Sequence, residues 1–394
     1  MAGVWPEMTC ARIGAGVIAG IHERALRKLG VVTVAVLEAD PARHEQVRAA
    51  GLTPLSDYEQ IAALRPSFWD ICTPTESHAE VFEQVCAVDP DANVVVEKPL
   101  CDHADLGRFT EVLRRHRGKV VVNENYCSSA VSDSVCAKVA ELGLRPAKVI
   151  VEMSKHRGTD FLAGRFVDPA LGAFGYEGTH LLAAVAALDP GFTTGTLADA
   201  DLSPLDLDGR AGPVNLDDQG GAFAAWETAD GCRVEIYTSM AGILGYPCPP
   251  YAPAVTVLGR GDTTRWRIFR VDGTDPAGTA WQVVGFYEPL PGLPRGHGAL
   301  ACFREWRQAE PARIVADDTM TRHFTRVLSH FAGDAANPCP PSAAAATIER
   351  LNELAEDARR LELPGDPDDV LGDPVSAKIR AVECARFIPW EPRL

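Results

Sequence analysis

The sequence predicts an α/β protein with two domains built on different sheets. Over the first 124 or so residues, short apolar runs alternate with helical patterns, which is typical of a doubly wound parallel sheet with crossover helices. Beyond that point several β-type runs follow one another through Gly, Asp and Pro turns, which indicates an α+β domain with a large, mainly antiparallel open sheet. A length of 394 residues also exceeds one ordinary hydrophobic core.

The strands of the first domain are predicted at five apolar runs. Continuous valines at 94–96 and 120–122 fit strands that are buried on both faces. Helical patterns at 18–30 and 76–88 lie between strands. The predicted strands are "CARIGAG", "VVTVAVLEAD", "FWDICTPT", "NVVVEKPL" and "KVVVNENY".

The second domain is predicted to begin with a helix over 132–142, a strand "AKVIVEMSKH" and a helix starting near Tyr176. The strands "GAFAAWET", "CRVEIYTSM", "AVTVLGRGD", "TRWRIFRV" and "AWQVVGFYE" follow, and helices over 320–331 and 342–361 close the domain. An acidic Pro/Gly/Asp-rich stretch at 197–218 is interpreted as a solvated loop. The predicted domains are 1–124 for dinucleotide binding, 125–363 for substrate binding and oligomerisation, and 364–394 as a C-terminal tail.

Composition excludes several classes of protein. Hydrophobic residues make up 46% and charged residues 23%, as in globular proteins, and no apolar run approaches the ~20 residues of a membrane span. We therefore expect a cytoplasmic protein. The eleven cysteines form no C-x-x-C pair, so neither a disulfide framework nor a metal site is expected. A net charge of -16 argues against nucleic acid; it favours a cationic substrate or simply solubility.

A glycine-rich motif points to a dinucleotide. Gly14-x-Gly16-x-x-Ala19 follows a strand and opens a helix, where glycines let the backbone approach a pyrophosphate that the helix N-terminus stabilises. Glu38 ends the next strand, 24 residues after Gly14, and is expected to bind the adenosine ribose hydroxyls. This pattern predicts a Rossmann domain. The residues of the turn expected to contact the cofactor also include Val17 and Ile18.

The carboxylate of Glu38 favours NAD over NADP, because it would repel a 2'-phosphate. Arg43, one helical turn further on, would soften that preference.

Polar residues also follow the third and fourth long strands, at the sheet edge where doubly wound folds bind ligands. Thr73, Pro74 and His78 follow "FWDIC", and all three are expected to contact the cofactor. Glu97 and Lys98 follow three buried valines, and both are expected to contact the cofactor. Lys98 is also predicted to hydrogen-bond the substrate oxygen at the reacting carbon. The alternative is an ion pair that ends a strand.

These motifs, and above all "EKPL" at 97–100, resemble the glucose-fructose oxidoreductase and inositol dehydrogenase family, written Gfo/Idh/MocA. The resemblance continues through "NENY", "GYEGTHLL" and "VTVLGRGDT" to about residue 363. It implies a Rossmann domain followed by an open sheet domain that builds the substrate pocket and often the oligomer interface. It also implies NAD(P)-dependent chemistry at a sugar or cyclitol carbon, a cis peptide before Pro99 and a catalytic role for Lys98.

The stretch "GYEGTHLL" departs from the family pattern. Many members carry D-x-G-x-H here; Gly178 and His180 match, but Tyr176 replaces the aspartate. Tyr176 and His180 lie four residues apart on one helical face, and we expect both to line the pocket, with either one as the proton acceptor. Glu177, about 100° around the helix, is expected to point away. Further candidates are Asn125 for the cofactor and Tyr126, His156 and Arg157 for the substrate.

The sequence thus predicts an NAD-dependent enzyme that oxidises a secondary hydroxyl of a sugar ring to a ketone. The negative charge and the composition suggest an aminoglycoside ring, oxidised before a pathway aminotransferase acts. The alternatives are a nucleotide sugar or inositol as substrate, the reverse reduction, or a regulator that binds NAD without turnover. The resemblance implies a homodimer or homotetramer.

Overall fold

The computed structural model describes residues 5, 7–163, 168–207, 214–251, 258, 265–290 and 292–362. The chain divides into two compact units. The first comprises Met1–Ser129 and Asp318–Glu349, and the second comprises Ala130–Asp317 and Arg350–Leu394.

The first unit begins with alternating strands and helices. Its strands are β1 (Thr9–Ile13), β2 (Val32–Leu37), β3 (Pro54–Leu55), β4 (Phe68–Ile71), β5 (Val94–Glu97) and β6 (Val120–Asn123). Its helices are α1 (Val17–Lys28), α2 (His44–Ala49), α3 (Tyr58–Ala63), α4 (His78–Val88) and α5 (Leu106–Arg115). Short 3-10 turns cover Pro41–Arg43, Thr75–Ser77, His103–Asp105 and Asn125–Ser128.

The remaining elements follow in chain order. The helices are α6 (Ala130–Glu141), α7 (Gly158–Leu162), α8 (Phe174–Leu188), α9 (Thr319–Ala332) and α10 (Pro341–Asp357), with a 3-10 turn at Pro190–Thr193. The strands are β7 (Arg145–Lys155), β8 (Thr196–Leu207), β9 (Val214–Glu227), β10 (Arg233–Ser239), β11 (Arg265–Thr274), β12 (Ala280–Phe286), β13 (His297–Arg304), β14 (Arg307–Gln308), β15 (Arg313–Ala316) and β16 (Arg359–Arg360).

The first sheet confirms the predicted fold class. Within the described residues its six strands run in the order β3-β2-β1-β4-β5-β6, and all pairs are parallel. The valines at 94–96 are fully buried because helices cover both faces of a doubly wound sheet. The carboxyl ends of β1, β4, β5 and β6 therefore meet at one edge, which is where such folds place their ligands.

The second sheet is mixed and mainly antiparallel, as predicted. Ten strands of the described part belong to it, in the order β14-β13-β12-β11-β7-β10-β9-β8-β16, with β15 paired to β13. Parallel pairs occur between β7 and β10 and between β8 and β16. The predicted strand "AVTVLGRGD" lies almost wholly outside the described residues, and the tail 364–394 lies wholly outside them.

The interpretation of 197–218 as a solvated loop was wrong. β8 and β9 cover most of this stretch and pair along its length. Asp201 is fully buried and Asp199 is nearby, and both carboxylates accept from the Arg359 guanidinium, at 2.8 and 2.7 Å. An acidic residue can occupy a strand when a cation from a distant segment neutralises it, and the local composition does not reveal that partner.

The division into units also differs from the predicted boundary at residue 124. Helix α9, which the sequence assigned to the second domain, belongs to the first unit. Its Phe324, Val327 and Leu328 are fully buried in a cluster with residues of β1, β4, β5 and β6. Burial of such side chains contributes about 1.5–3 kcal/mol each, so α9 covers one face of the parallel sheet.

Among the described helices, none is both long and apolar enough to cross a membrane.

Candidate active site

The glycine turn after β1 contains Gly14 and Gly16, and the protein's own packing restricts only one of these positions to glycine. Gly14 has a φ of +93°, and an added Cβ would lie 2.8 Å from the carbonyl oxygen of Cys72. Its N–H donates to the carbonyl of Leu37 at 2.8 Å. The packing and the backbone conformation at position 14 therefore require glycine.

Gly16 is not explained by packing. It is the N-terminal cap of α1 without a side-chain hydrogen bond, and an added Cβ there would meet no atom of the described residues within 4 Å. Nearby, at the end of β4, the buried hydroxyl of Thr73 has no hydrogen-bond partner within the described chain. An open cradle of uncapped backbone N–H groups suits the pyrophosphate of a dinucleotide, and the residues present fit that group.

Glu38 lies beside this turn. Its carboxylate accepts hydrogen bonds from the N–H of Ala15 and of Asp40, both at 2.9 Å, and the residue is buried. These contacts fix a negative charge next to the glycine turn after β1. A carboxylate held in this position is the group that selects ribose hydroxyls over a 2'-phosphate in Rossmann domains.

His78 has a different position from the one predicted. We expected a cofactor contact, but the side chain is fully buried, and its ring nitrogens lie 2.9 Å from the carbonyl oxygens of Thr73 and Pro99. The imidazole thus joins the loops that follow β4 and β5. The neighbouring Pro74 is exposed.

Lys98 follows β5 directly and is partly exposed. The peptide between Lys98 and Pro99 is cis, as the resemblance implied. Glu97, assigned from the sequence to the cofactor, instead faces the interior. Its Oε2 lies 3.1 Å from His22 Nε2 and 2.7 Å from Asn123 Nδ2.

A buried polar network extends from Glu97 below the sheet edge, and the sequence analysis did not predict it. His22 Nδ1 lies 2.9 Å from Asp70 Oδ1, and Arg12 Nε donates to Asp70 Oδ2 at 2.8 Å. Burial lowers the pKa of His22, but Cys72 and the Asp70 carboxylate together hold that pKa well above its ordinary value. Burial likewise raises the pKa of Asp70, and His22 and Arg12 more than reverse this.

The ligand atoms of His22, Asp70 and Cys72 lie within 4.8 Å of one another. We interpret this cluster as a hydrogen-bonded charge network, because the Arg12 guanidinium already neutralises Asp70.

Two other candidates lie beyond β6. Asn125 donates from Nδ2 to Thr319 Oγ1 at 2.7 Å, and Tyr126 is buried.

In the second unit, Tyr176 stacks against an arginine. The Arg157 guanidinium carbon lies 3.9 Å from the centre of the Tyr176 ring. Burial raises the pKa of Tyr176 to about 12, although Arg157 acts in the opposite direction. The phenol is therefore protonated at neutral pH and suited to donating a proton.

Glu177, which the sequence predicted to point away, forms an ion pair that the sequence did not predict. Its carboxylate is buried and accepts from Arg157 at 3.1 Å and from Arg267 at 3.0 Å. Glu177 thereby holds Arg157 beneath the Tyr176 ring. A distant strand supplies Arg267, so the adjacent sequence contains no sign of this ion pair.

His180 lies one turn after Tyr176 on α8 and is partly exposed. His156 forms an isolated bridge with Ala241, and its Nδ1 accepts from the N–H of Gly158 at 3.3 Å. Gly178 lies between the two candidates, and an added Cβ there would lie 2.7 Å from Leu351. This glycine is needed for close helix packing.

Basic side chains gather around Tyr176. Arg265 pairs with Lys155 and Arg267 with Met153 across β7 and β11, so these bases share one face of the sheet. Arg157, Arg265 and Arg267 all lower the pKa of Tyr176. Glu177 and Asp160 supply the acidic contacts to Arg157.

A protein-family model matches the first part of the chain. Residues 8–124 match the GFO_IDH_MocA model, an oxidoreductase family with an NAD-binding Rossmann fold. The family resemblance inferred from the sequence is confirmed. The match covers the part of the chain that carries the glycine motif, Glu38 and Lys98.

Solved structures share the whole fold. UDP-N-acetylglucosamine 3-dehydrogenase GnnA from Acidithiobacillus ferrooxidans is 12% identical with a TM-score of 0.63, over 89% of this chain and 97% of that one. KijD10, a 3-ketoreductase from Actinomadura kijaniata solved with NADP and TDP-benzene, is 14% identical with a TM-score of 0.64, over 91% and 99%. No curated protein sequence matches the chain.

The two glycines of the turn should respond differently to substitution. Gly14→Ala should lower the free energy of unfolding by about 1–3 kcal/mol, because of its positive φ and the clash with Cys72. Gly16→Ala should leave the melting temperature unchanged and weaken NADH binding at least about tenfold, as its methyl group would fill the cradle. Calorimetry and fluorescence titration measure both; unchanged NADH affinity in Gly16→Ala would remove this turn from the cofactor site.

Tyr176 should keep its proton well above neutral pH. Absorbance at 295 nm, compared between the wild type and Tyr176→Phe, should show no phenolate from Tyr176 below about pH 10. Between pH 10 and 12 an unfolded chain loses this proton and the native chain keeps it, so stability falls as pH rises, and less steeply in the variant. A phenolate signal near pH 8 would show that the surroundings lower this pKa instead.

Proposed function

We propose that the protein interconverts a secondary hydroxyl and a ketone on the ring of an anionic sugar, such as a nucleotide sugar, with NAD as cofactor. The observation that carries this proposal is the group of basic residues around Tyr176. A proton-donating phenol set among arginines suits a substrate that brings its own negative charge.

The cofactor assignment rests on the first unit. Gly16, the Thr73 hydroxyl and the N-terminus of α1 would hold the pyrophosphate, and Glu38 would hold the ribose and disfavour NADP. When bound, the nicotinamide supplies the hydride acceptor or donor.

In this proposal, side chains of the protein hydrogen-bond the reacting oxygen and transfer its proton. In reduction of the ketone, Lys98 donates a hydrogen bond to the carbonyl oxygen, and Tyr176 gives its proton to that oxygen as the carbon gains hydride. In oxidation the same proton returns, with His180 as the alternative acceptor. Because burial keeps the Tyr176 phenol protonated, ketone reduction is the direction that this residue serves best.

Two structural relatives support an anionic substrate. One is by name a dehydrogenase of UDP-N-acetylglucosamine, and the other was solved with a TDP derivative. A second candidate is the aminoglycoside ring, oxidised before transamination, which the net charge of -16 favours. The local charge around Tyr176 favours the anion, because fields at a site depend on its nearest groups.

A substrate panel tests the proposal. Purified protein is assayed at 340 nm with NAD or NADP and a UDP-hexose, a TDP-hexose, a 2-deoxystreptamine aminoglycoside or myo-inositol. We expect turnover with a nucleotide sugar, and kcat/KM at least about tenfold higher with NAD than with NADP. Turnover of the aminoglycoside alone would establish the second candidate, and NADH binding without any turnover would indicate a regulator.

The variant Lys98→Ala tests whether Lys98 takes part in the reaction rather than in cofactor binding. It should abolish turnover while leaving NADH affinity within about tenfold, because the lysine acts on the substrate oxygen. Equal activity in this variant would remove Lys98 from the reaction.

A further inference from the structure

The buried hydroxyl of Thr73 is a polar group that the protein itself does not satisfy. Its Oγ1 has no hydrogen-bond partner within the described chain. The residue lies in the loop after β4 and beside the glycine turn, since a Cβ added to Gly14 would lie 3.3 Å from the backbone nitrogen of Thr73. An unpaired buried hydroxyl is unfavourable, and a hydrogen bond to a bound dinucleotide would remove that cost. The direction of this hydroxyl therefore depends on what holds the Thr73 backbone.

His78 holds the backbone of this loop. It is the first residue of α4 and is fully buried, and its Nε2 lies 2.9 Å from the carbonyl oxygen of Thr73. Its Nδ1 lies 2.9 Å from the carbonyl oxygen of Pro99, in the loop after β5. An imidazolium donates from both nitrogens, and in this form His78 holds both carbonyls. One rigid ring thus sets the spacing of two loops that follow the paired strands β4 and β5.

Both loops carry residues of the proposed site. Thr73 would hold the pyrophosphate, and Lys98, which would act on the substrate oxygen, directly precedes Pro99. A displacement of about 1 Å can lower a reaction rate a hundredfold, so the position of each backbone matters. Because the imidazole of His78 is fully buried, it would act on both loops through their carbonyls.

We propose that His78 is a positioning residue: through the carbonyls of Thr73 and Pro99 it fixes the loop after β4 for dinucleotide binding and the loop after β5 for hydride transfer. The consequence for turnover rests on the proposed function. The consequence for dinucleotide binding is measured without any substrate.

Two substitutions separate the two contacts. The amide of an asparagine lies near the place of the histidine Nδ1, and the amide of a glutamine reaches that of Nε2. His78→Asn should keep a donor toward Pro99, lose the one toward Thr73, and weaken NADH binding about fivefold in a fluorescence titration. His78→Gln should keep the donor toward Thr73 and bind NADH within about twofold of the wild type.

A double-mutant cycle tests whether His78 acts through Thr73. Thr73→Val removes the hydroxyl at nearly constant shape and should weaken NADH binding about five- to tenfold. The variant Thr73→Val/His78→Asn should bind NADH within about twofold of Thr73→Val alone, because the hydroxyl that His78 positions is already absent. Factors that multiply in the double variant would show that His78 acts by another route, and would overturn the proposal.

His116 supplies a control at the opposite end of β5. Its Nε2 lies 2.8 Å from the carbonyl oxygen of Ala92, which precedes that strand. His116→Asn loses the same kind of contact as His78→Asn, so the melting temperature should fall in both variants. The NADH affinity of His116→Asn should stay within about twofold of the wild type. Weakened NADH binding in both variants would reduce the role of His78 to general stability.

Turnover of a nucleotide-sugar ketone reports the contact with Pro99. At saturating NADH, His78→Gln should lower kcat about tenfold with KM within about threefold, and His78→Asn should keep kcat within about threefold. If the wild type turns over no sugar, the proposed function is wrong, and the NADH titrations still test the positioning of Thr73.

The NADH titrations can also contradict the proposal directly. Unchanged NADH affinity in His78→Asn would overturn the positioning role. If His78→Asn does not fold, His78→Gln is the test on its own. A loss of NADH affinity of about fivefold in that variant, which retains a donor toward Thr73, would overturn the proposal.

Discussion

The pairing of buried charges at the carboxyl edge of the parallel sheet is the constraint on which the site depends. Arg12, Asp70, Glu97 and Asn123 come from four different strands, and His22 comes from the first helix. A buried charge without its partner costs several kcal/mol, so the strand ends that carry these groups are held together. The glycine turn after β1 and the loops after β4 and β5 directly follow the strands that carry Arg12, Asp70 and Glu97.

The carboxyl edge of the sheet could be predicted because the strands and the glycine turn that form it are each identified by a pattern within a short stretch of sequence. Apolar runs of four or five residues located the strands, and the spacing from Gly14 to Glu38 indicated a dinucleotide. Contacts between residues that lie far apart in the chain could not be predicted from the sequence. Arg359 allows Asp201 to lie in a strand, and Arg267 holds Glu177; neither contact has a periodic signature. The same limit hid the contacts of His22 with Asp70 and Glu97, because in the sequence His22 is only a polar residue within a helical pattern.

Tyr176 stands where many members of the family that the sequence resembles carry an aspartate, and this difference bears on the proton transfer that we propose. A carboxylate ordinarily has a pKa near 4 and is ionised at neutral pH, whereas desolvation raises the pKa of Tyr176 to about 12, which is why we propose this phenol as a proton donor. Arg157 beneath the ring and Glu177 beneath Arg157 form a stack that fixes the orientation of the phenol. The overall charge of -16 favours a cationic substrate, but three arginines and one carboxylate, Glu177, act electrostatically on Tyr176. Distribution of charge, rather than its total, governs recognition.

The central claim is that a sugar ring carbon exchanges hydride with a nicotinamide cofactor in this protein. The most direct measurement uses NADH deuterated at C4 in both positions, a ketone derivative of a nucleotide sugar, and mass spectrometry of the product. We expect an alcohol with one deuterium on the ring carbon that carried the ketone, formed by the wild type and not by Lys98→Ala. Recovery of the ketone unreduced, or of an alcohol without deuterium, would contradict it.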